Sequence, residues 1–129
     1  MITFTVTLDA DAAAAKLSAA AQAVPMGLVA HINGQANAAK KGISVPSDQI
    51  LEIFRPDFAI RVWKAHKPAG IDIPLRVHLY DSEGKTVVAF RTAREVFAPY
   101  ANPELNSIAA DIDPIFMGIL ESLDPYKEQ

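Results

Sequence analysis

Two histidines and one arginine are the residues of this sequence whose types and spacing could hold a ligand. His31 and His78 lie in separate stretches of alternating residues, and Arg76 stands two positions before His78. Counted by alternation, all three fall on the more polar face of their strands. If those strands are neighbours, two imidazoles and a guanidinium could face one anion, carboxylate or transition metal. Alternation does not establish adjacency, so half-exposed strand residues or interface contacts remain the alternative.

Further polar side chains at the ends of strands and helices could complete such a site. Arg55 precedes a proline at a predicted strand–helix boundary, a place from which side chains commonly reach ligands. It equally suits pairing with Glu52. Tyr80 follows His78 on the same face and could line a pocket or an interface. We therefore predict a ligand-binding set with no catalytic and no metal assignment: His31, Arg55, Arg76, His78 and Tyr80.

Sequence motifs that specify a reaction are missing. There is no phosphate-binding glycine loop, no G-x-S-x-G, no H-E-x-x-H and no EF-hand loop. Asp111 and Asp113 are two positions apart, so on a helix they do not face each other and make a poor acid–base pair. The chain has no cysteine, which excludes disulfides, thiolate zinc sites and cysteine nucleophiles. The sequence therefore indicates no catalytic residue, and it leaves the cofactor unknown.

The bulk composition is that of one globular domain spanning residues 1–129. Half of the residues are hydrophobic and 21% are charged. The net charge of −3 gives no support for a nucleic-acid partner. Apolar runs fall far short of the roughly twenty residues that cross a bilayer, and the N-terminal residues show no signal-peptide pattern. We expect a cytoplasmic protein with neither a membrane nor a nucleic-acid partner.

The strands that would position the candidate residues follow from period-two alternation. Five stretches show it: residues 2–8, 26–33, 49–54, 75–80 and 85–91. The sequence Asp81-Ser82-Glu83-Gly84 predicts a hairpin between the last two, which makes them antiparallel. In the second stretch, Leu28 and Ala30 are predicted to share one face and His31 the other. Each strand has one apolar and one mixed face, as expected when helices cover a single side of a sheet.

The helices are predicted from caps and from period-3.6 spacing. Asp9 caps an alanine-rich helix over residues 10–24, whose buried stripe is predicted to include Val24. Pro56 opens a second helix, and Trp63 on it is predicted to lie in the core. The last helix contains Pro114, which either kinks it or begins a new helix with Asp113 as N-cap.

These elements predict an α+β fold in the order β-α-β-(α)-β-α-β-β-α. An antiparallel sheet of about five strands carries helices on one face only. The uncovered face, with Arg76, His78 and Tyr80, is where ligand binding or dimerisation is expected.

The stretch from Leu51 to Phe90 resembles the family called domain of unknown function 302. The resemblance rests on Ile53-Phe54-Arg55-Pro56, Pro74-Leu75-Arg76-Val77, Tyr80-Asp81 and Gly84, with Gly27-Leu28 upstream. Arg55 departs from the Asn or Cys often found before the proline. The resemblance implies a compact fold similar to the TATA-binding-protein-like arrangement, commonly seen as a homodimer. It implies no enzyme activity and no catalytic residues.

Three functions follow as hypotheses. The leading one is a homodimeric, non-enzymatic module that binds a small ligand or a partner protein through the open sheet face or the dimer cleft. The second is an enzyme acting on a small anionic substrate, with His78 as acid/base and Arg76 as anion clamp. The third is a purely structural or assembly role.

Overall fold

The computed structural model describes residues 1–24 and 26–123. Five strands are present: β1 (Ile2–Val6), β2 (Leu28–Asn33), β3 (Asp48–Ile53), β4 (Leu75–Ser82) and β5 (Lys85–Phe90). The α-helices are α1 (Ala10–Ala23), α2 (Gly34–Ala39), α3 (Pro56–Ala65), α4 (Ala93–Phe97) and α5 (Pro103–Leu120). Short 3₁₀ turns cover Lys67–Asp72, Ala98–Tyr100 and Glu121–Leu123.

The strands form one sheet in the order β1-β5-β4-β3-β2, with every neighbouring pair antiparallel. The predicted hairpin joins β4 and β5. Its turn holds Glu83 and Gly84 at φ values of 55° and 80°, the left-handed region that a tight hairpin requires. The predicted α+β fold with a five-stranded antiparallel sheet is thus confirmed, and β1 and β2 are its edges.

Alternation along the central strand separates a covered face from an open one. Leu75, Val77 and Leu79 of β4 are buried, whereas Arg76 between them is exposed. The buried set packs with apolar residues of α1, α3 and α5 in one continuous core. On α1 the buried alanines at positions 10, 13, 14 and 21 let the helix lie close to β3 and β4, and Leu17 is buried among them. Val24, predicted on that stripe, is exposed.

Helix α3 buries a narrower stripe than the sequence predicts. Phe58 and Val62, four residues apart, are buried in the core. Trp63 lies five residues from Phe58, about 140° round the helix axis, and it is 46% exposed. The prediction that Trp63 lies in the core is therefore wrong. An apolar indole is left on the surface, beside the Lys67–Asp72 turn.

Helix α5 continues through Pro114, so the alternative of a new helix beginning there is wrong. Asn102 caps α5 by accepting a hydrogen bond from the backbone N–H of Leu105 at 3.0 Å. The Asp113 carboxylate binds the start of a different helix, α4. It accepts hydrogen bonds from the backbone N–H groups of Ala93 at 2.7 Å and Arg94 at 3.0 Å, which closes the first turn of α4. Within the described residues, no helix is both long and apolar enough to span a bilayer.

Candidate functional site

A bulge at the start of β2 decides which way His31 points. Leu28 pairs with Ile53, but Ala30 pairs with Glu52, so the register shifts by one residue between them. Directly paired residues of an antiparallel ladder share a face. Leu28 therefore lies on the covered face with Ile53, and Ala30 lies on the open face with Glu52. The prediction that Leu28 and Ala30 share a face is wrong because the extra residue reverses the alternation.

The same shift separates the two histidines. His31 pairs with Leu51, whose side chain is buried on the covered face, whereas His78 pairs with Ile50 on the open face. The strand β3 also lies between them. The two imidazoles consequently cannot hold one ligand. Within residues 1–24 and 26–123, no group of three or more His, Asp or Glu side chains is arranged to bind a metal ion.

His31 instead belongs to a hydrogen-bond network around a buried amide. Its Nε2 lies 2.6 Å from Oε1 of Gln49, which is 1% exposed. The Gln49 amide nitrogen donates to Asp11 Oδ1 at 2.7 Å and to Ser47 Oγ at 3.0 Å. Both ends of the buried amide are thereby satisfied, as burial of a polar group requires. His31 serves this contact between β2, β3 and α1.

The open face carries a cleft of about 280 Å³ in which Arg76 and His78 stand side by side. The central strand supplies both side chains, while Ile50 of β3 and Ala89 of β5 flank them on the same face. The ends of neighbouring elements complete the walls. The lining residues are Met1, Ile50, Asp72, Pro74, Leu75, Arg76, His78, Ala89, Phe90, Arg91 and Val96.

His78 is held from two sides. Its Nε2 lies 2.8 Å from Asp48 Oδ1, and its ring centroid lies 4.8 Å from that of Tyr80, with the planes inclined at 35°. Asp48 and Tyr80 are themselves directly paired between β3 and β4. The carboxylate and the phenol ring together orient the imidazole. Tyr80 acts on the cleft through His78, since it does not line the cleft itself.

Charge in the cleft is predominantly positive. Arg76 is exposed and lies directly opposite Glu52 in the β3–β4 ladder. Its guanidinium makes no hydrogen bond or ion pair within the part of the chain that the structure describes. Arg91 also lines the cleft. Asp72 is the one carboxylate among the lining residues, and it already accepts a hydrogen bond from the Tyr100 hydroxyl. Two guanidinium groups against one occupied carboxylate favour an anion.

The contact between Tyr100 and Asp72 makes a prediction for alkaline pH. The hydrogen bond to Asp72 raises the pKa of the Tyr100 phenol above its ordinary value of 10.0. Because the folded state holds this proton more tightly than the unfolded chain, the contact stabilises the fold fully below about pH 10, and its contribution is lost as pH rises through the raised pKa. Ultraviolet titration of the phenolate, with Tyr100→Phe subtracted, measures this pKa. Asp72→Asn should return it towards the ordinary value, and an unchanged titration in that variant would contradict the assignment.

Arg55 lies apart from the Arg76–His78 cleft. It precedes α3, where Nε and Nη2 donate to the two carboxylate oxygens of Asp57 at 2.6 Å and 3.0 Å. Its guanidinium carbon lies 4.2 Å from the centroid of the Phe58 ring. This hydrogen bonding lowers the pKa of Asp57. The structure thus records Asp57 as an ion-pair partner of Arg55.

The predicted set thus divides between three places. Arg76, His78 and Tyr80 come together on the open face, whereas His31 and Arg55 lie elsewhere. The predicted set did not include Asp48, Asp72 or Arg91. The contact of Asp48 with His78 follows only from the β3–β4 register, which places Asp48 opposite Tyr80 and beside His78.

The fold and cleft define a small α+β domain with one sheet face covered by helices and the other open. A family model described as domain of unknown function DUF302 matches residues 2–123, and the chain belongs to this family. The chain is also similar to the crystal structure of an uncharacterized conserved DUF302 protein from Bacillus stearothermophilus. The TM-score is 0.81 at 21% identity, over 95% of this chain and 96% of the other. That likeness shows the fold. No curated protein matches the chain.

Proposed function

We propose that this protein is a non-enzymatic module that binds a small anion, of the carboxylate class, in the cleft on the open sheet face. The observation that carries the proposal is the exposed Arg76 guanidinium, which has no acceptor among residues 1–24 and 26–123 and stands in a cleft with His78 and Arg91. A guanidinium presents a planar fork of N–H donors that matches a carboxylate. The apolar side chains of Ile50 and Ala89 provide contact for a short hydrocarbon part.

The size of the cleft supports a small ligand over a large one. Its volume of about 280 Å³ lies near the lower limit of ligand pockets, about 300 Å³. A metabolite of a few carbon atoms with one carboxylate fits such a space. A partner protein would instead contact the wider open face around it.

The experiment is a thermal-shift screen of the folded protein against small carboxylates, followed by affinity measurements with Arg76→Ala. Ligand that binds only the folded state raises the midpoint of unfolding. Removing a charged hydrogen-bond donor is expected to weaken binding about tenfold to a hundredfold. Lys64→Ala removes an exposed cation on α3 and serves as the control. Equal affinity in wild type and Arg76→Ala would reject this site.

A second candidate function rests on the His78–Asp48 contact. A carboxylate that orients an imidazole is a frequent arrangement in general acid–base catalysis, so an enzyme acting on a small anionic substrate is the alternative. His78 would move the proton and Arg76 would hold the anion. The double substitution His78→Ala and Arg76→Ala distinguishes the two, since an enzyme loses turnover with both. Substrate conversion unchanged by the double substitution excludes the catalytic alternative.

We also propose that the protein is a homodimer. The edge strand β1 contains no charged residue and no proline, and it presents one unpaired row of backbone groups. Pairing of β1 with β1 of a second copy would continue the sheet. Sedimentation equilibrium tests this, and a strict monomer at all concentrations rejects it. A purely structural role, the third hypothesis, is favoured if a dimer forms and no metabolite stabilises it.

A further inference from the structure

A second cleft, of about 320 Å³, opens beside the Arg76–His78 cleft. Three elements contribute to it: the bulged start of β2, one side of α3 and the Lys67–Asp72 turn. Pro74 is common to both clefts. The residues that line the second one are Val29, Phe54, Arg55, Pro56, Ala59, Trp63, Gly70, Ile73 and Pro74. We call it the Trp63 cleft.

Gly70 packs against one edge of the Trp63 indole. A Cβ atom built on Gly70 would lie 3.2 Å from the indole Nε1 and 3.3 Å from Cδ1, so a larger residue there would require the indole to shift by a few tenths of an ångström. Trp63 nevertheless remains 46% exposed. Val29, at the bulge, is 59% exposed and also lines the cleft. Two large apolar side chains are thus held at the surface facing a preformed concave space.

The Trp63 cleft carries no net charge. Arg55 is the one charged residue among those described as lining it. Its guanidinium is neutralised by the Asp57 carboxylate at 2.6 Å and 3.0 Å, and it lies over the Phe58 ring. An anionic ligand would therefore have to compete with Asp57 for Arg55. An uncharged ligand meets no such competition and keeps its apolar surface against apolar walls.

We infer that the Trp63 cleft binds a small uncharged aromatic molecule of one or two rings. The exposed indole offers an aromatic surface for stacking or edge contact, and Val29, Ala59 and Ile73 supply the apolar walls. The volume suits such a molecule. A second copy of the chain would need a contact of roughly 800 Å² on each partner, far wider than this cleft. The site is separate from the proposed anion site, so either proposal can fail alone.

The test uses the single tryptophan of the chain, whose indole N–H gives one identifiable nitrogen–proton NMR signal. Folded protein is titrated with 1-naphthol, which is uncharged at neutral pH, and separately with 1-naphthoate, which has the same rings and a carboxylate. We expect a saturable shift of the Trp63 signal with a dissociation constant on the order of 0.1 to 1 mM for 1-naphthol. Binding of 1-naphthoate is expected to be at least about tenfold weaker.

Two variants and one control locate the site. Val29→Gln removes an exposed apolar wall, and Ala59→Leu fills the space from α3. Each is expected to weaken 1-naphthol binding about tenfold or more. Ile60→Gln changes an exposed apolar residue next to Ala59 that does not line the cleft, and its affinity should stay within about twofold of wild type. Because Val29 is on the surface, its variant is expected to fold even if Ala59→Leu does not.

Three results overturn the inference. The first is no saturable Trp63 shift with 1-naphthol up to about 5 mM. The second is equal or tighter binding of 1-naphthoate. The third is a Trp63 shift that follows protein concentration without ligand, which would assign this surface to contact between copies of the chain.

Discussion

Replacing Phe116 by alanine is expected to lower the free energy of unfolding by about 3 to 5 kcal/mol. Phe116 lies on the covered side of α5 with 0% exposure. Its ring stands edge-on to Phe90 of β5 at a centroid distance of 5.6 Å and an angle of 82°. Phe90 in turn stands edge-on to Phe4 of β1 at 6.4 Å. Truncation removes apolar burial and this aromatic contact together, and it leaves a cavity between helix and sheet.

Urea denaturation followed by circular dichroism measures the change. Ile115→Ala is the matched control, because Ile115 is the preceding residue of α5 and only half-buried. Its cost is expected to be about 1 to 2 kcal/mol, below that of Phe116→Ala. Equal costs at the two positions would contradict the packing of α5 on the sheet described above.

Replacing Asp113 by alanine is expected to lower the free energy of unfolding by about 2 kcal/mol. The Asp113 carboxylate accepts hydrogen bonds from the backbone N–H groups of Ala93 and Arg94. These donors open α4, where the helix dipole also favours a negative charge. Without the carboxylate, both N–H groups lose their partner. Thr92, which caps the Glu95 N–H at 3.2 Å, remains in place and limits the loss.

Asp111→Ala is the control for Asp113→Ala. Asp111 lies two residues away and forms a surface ion pair with Arg61 at 2.9 Å. A pair this exposed contributes about 0 to 1 kcal/mol. Asp113→Asn keeps an acceptor without the charge and should fall between wild type and alanine. If Asp111→Ala costs as much as Asp113→Ala in denaturant titrations, the capping role of Asp113 is refuted.

Asp113 also bears on the candidate site. The helix α4 that it caps carries Val96, which lines the Arg76–His78 cleft. A loosened α4 would therefore disturb one wall of the cleft without changing Arg76 or His78. Asp113→Ala is expected to lower anion affinity moderately, because it disturbs one wall of the cleft. Arg76→Ala lowers anion affinity directly, because it removes the hydrogen-bond donor.

Much of the open face could be predicted from alternation alone. In β4, Leu75, Val77 and Leu79 are buried, and Arg76 and His78 lie on the opposite side. Side chains of a regular strand alternate whatever surrounds it, so this pattern is a local property. The β4–β5 hairpin and the Pro56 start of α3 were predictable for the same reason, because turn and cap chemistry act over a few residues.

The position of His31 could not be predicted in this way. Leu28 and Ala30 are both apolar, and no glycine or proline between them marks a bulge. The shift is visible only against β3, where Leu28 meets Ile53 and Ala30 meets Glu52. Pairing partners far along the chain set that register. One extra residue was enough to move His31 from the open face to the Gln49 network.

Trp63 shows a second limit of the same kind. The sequence places it on an amphipathic helix, and composition favours burial of tryptophan. Whether it is covered depends on how wide a stripe of α3 the neighbouring elements cover, and of α3 they fully bury Phe58 and Val62 alone. The apolar surface left over lines the Trp63 cleft.

By itself, the sequence determined the strands and helices and the covered and open sides of β4, because these depend on contacts between near neighbours in the chain. It also carried the family resemblance, in motifs of a few residues each. Only the tertiary structure decided that Asp48 and Tyr80 flank His78, that Asp72 and Arg91 join Arg76, and that His31 does not. Those relations depend on strand order and register, which arise from packing between residues far apart in sequence. The physical reason is that alternation within a strand specifies on which face of the sheet a side chain lies. A binding site also requires that side chains from different elements lie next to one another.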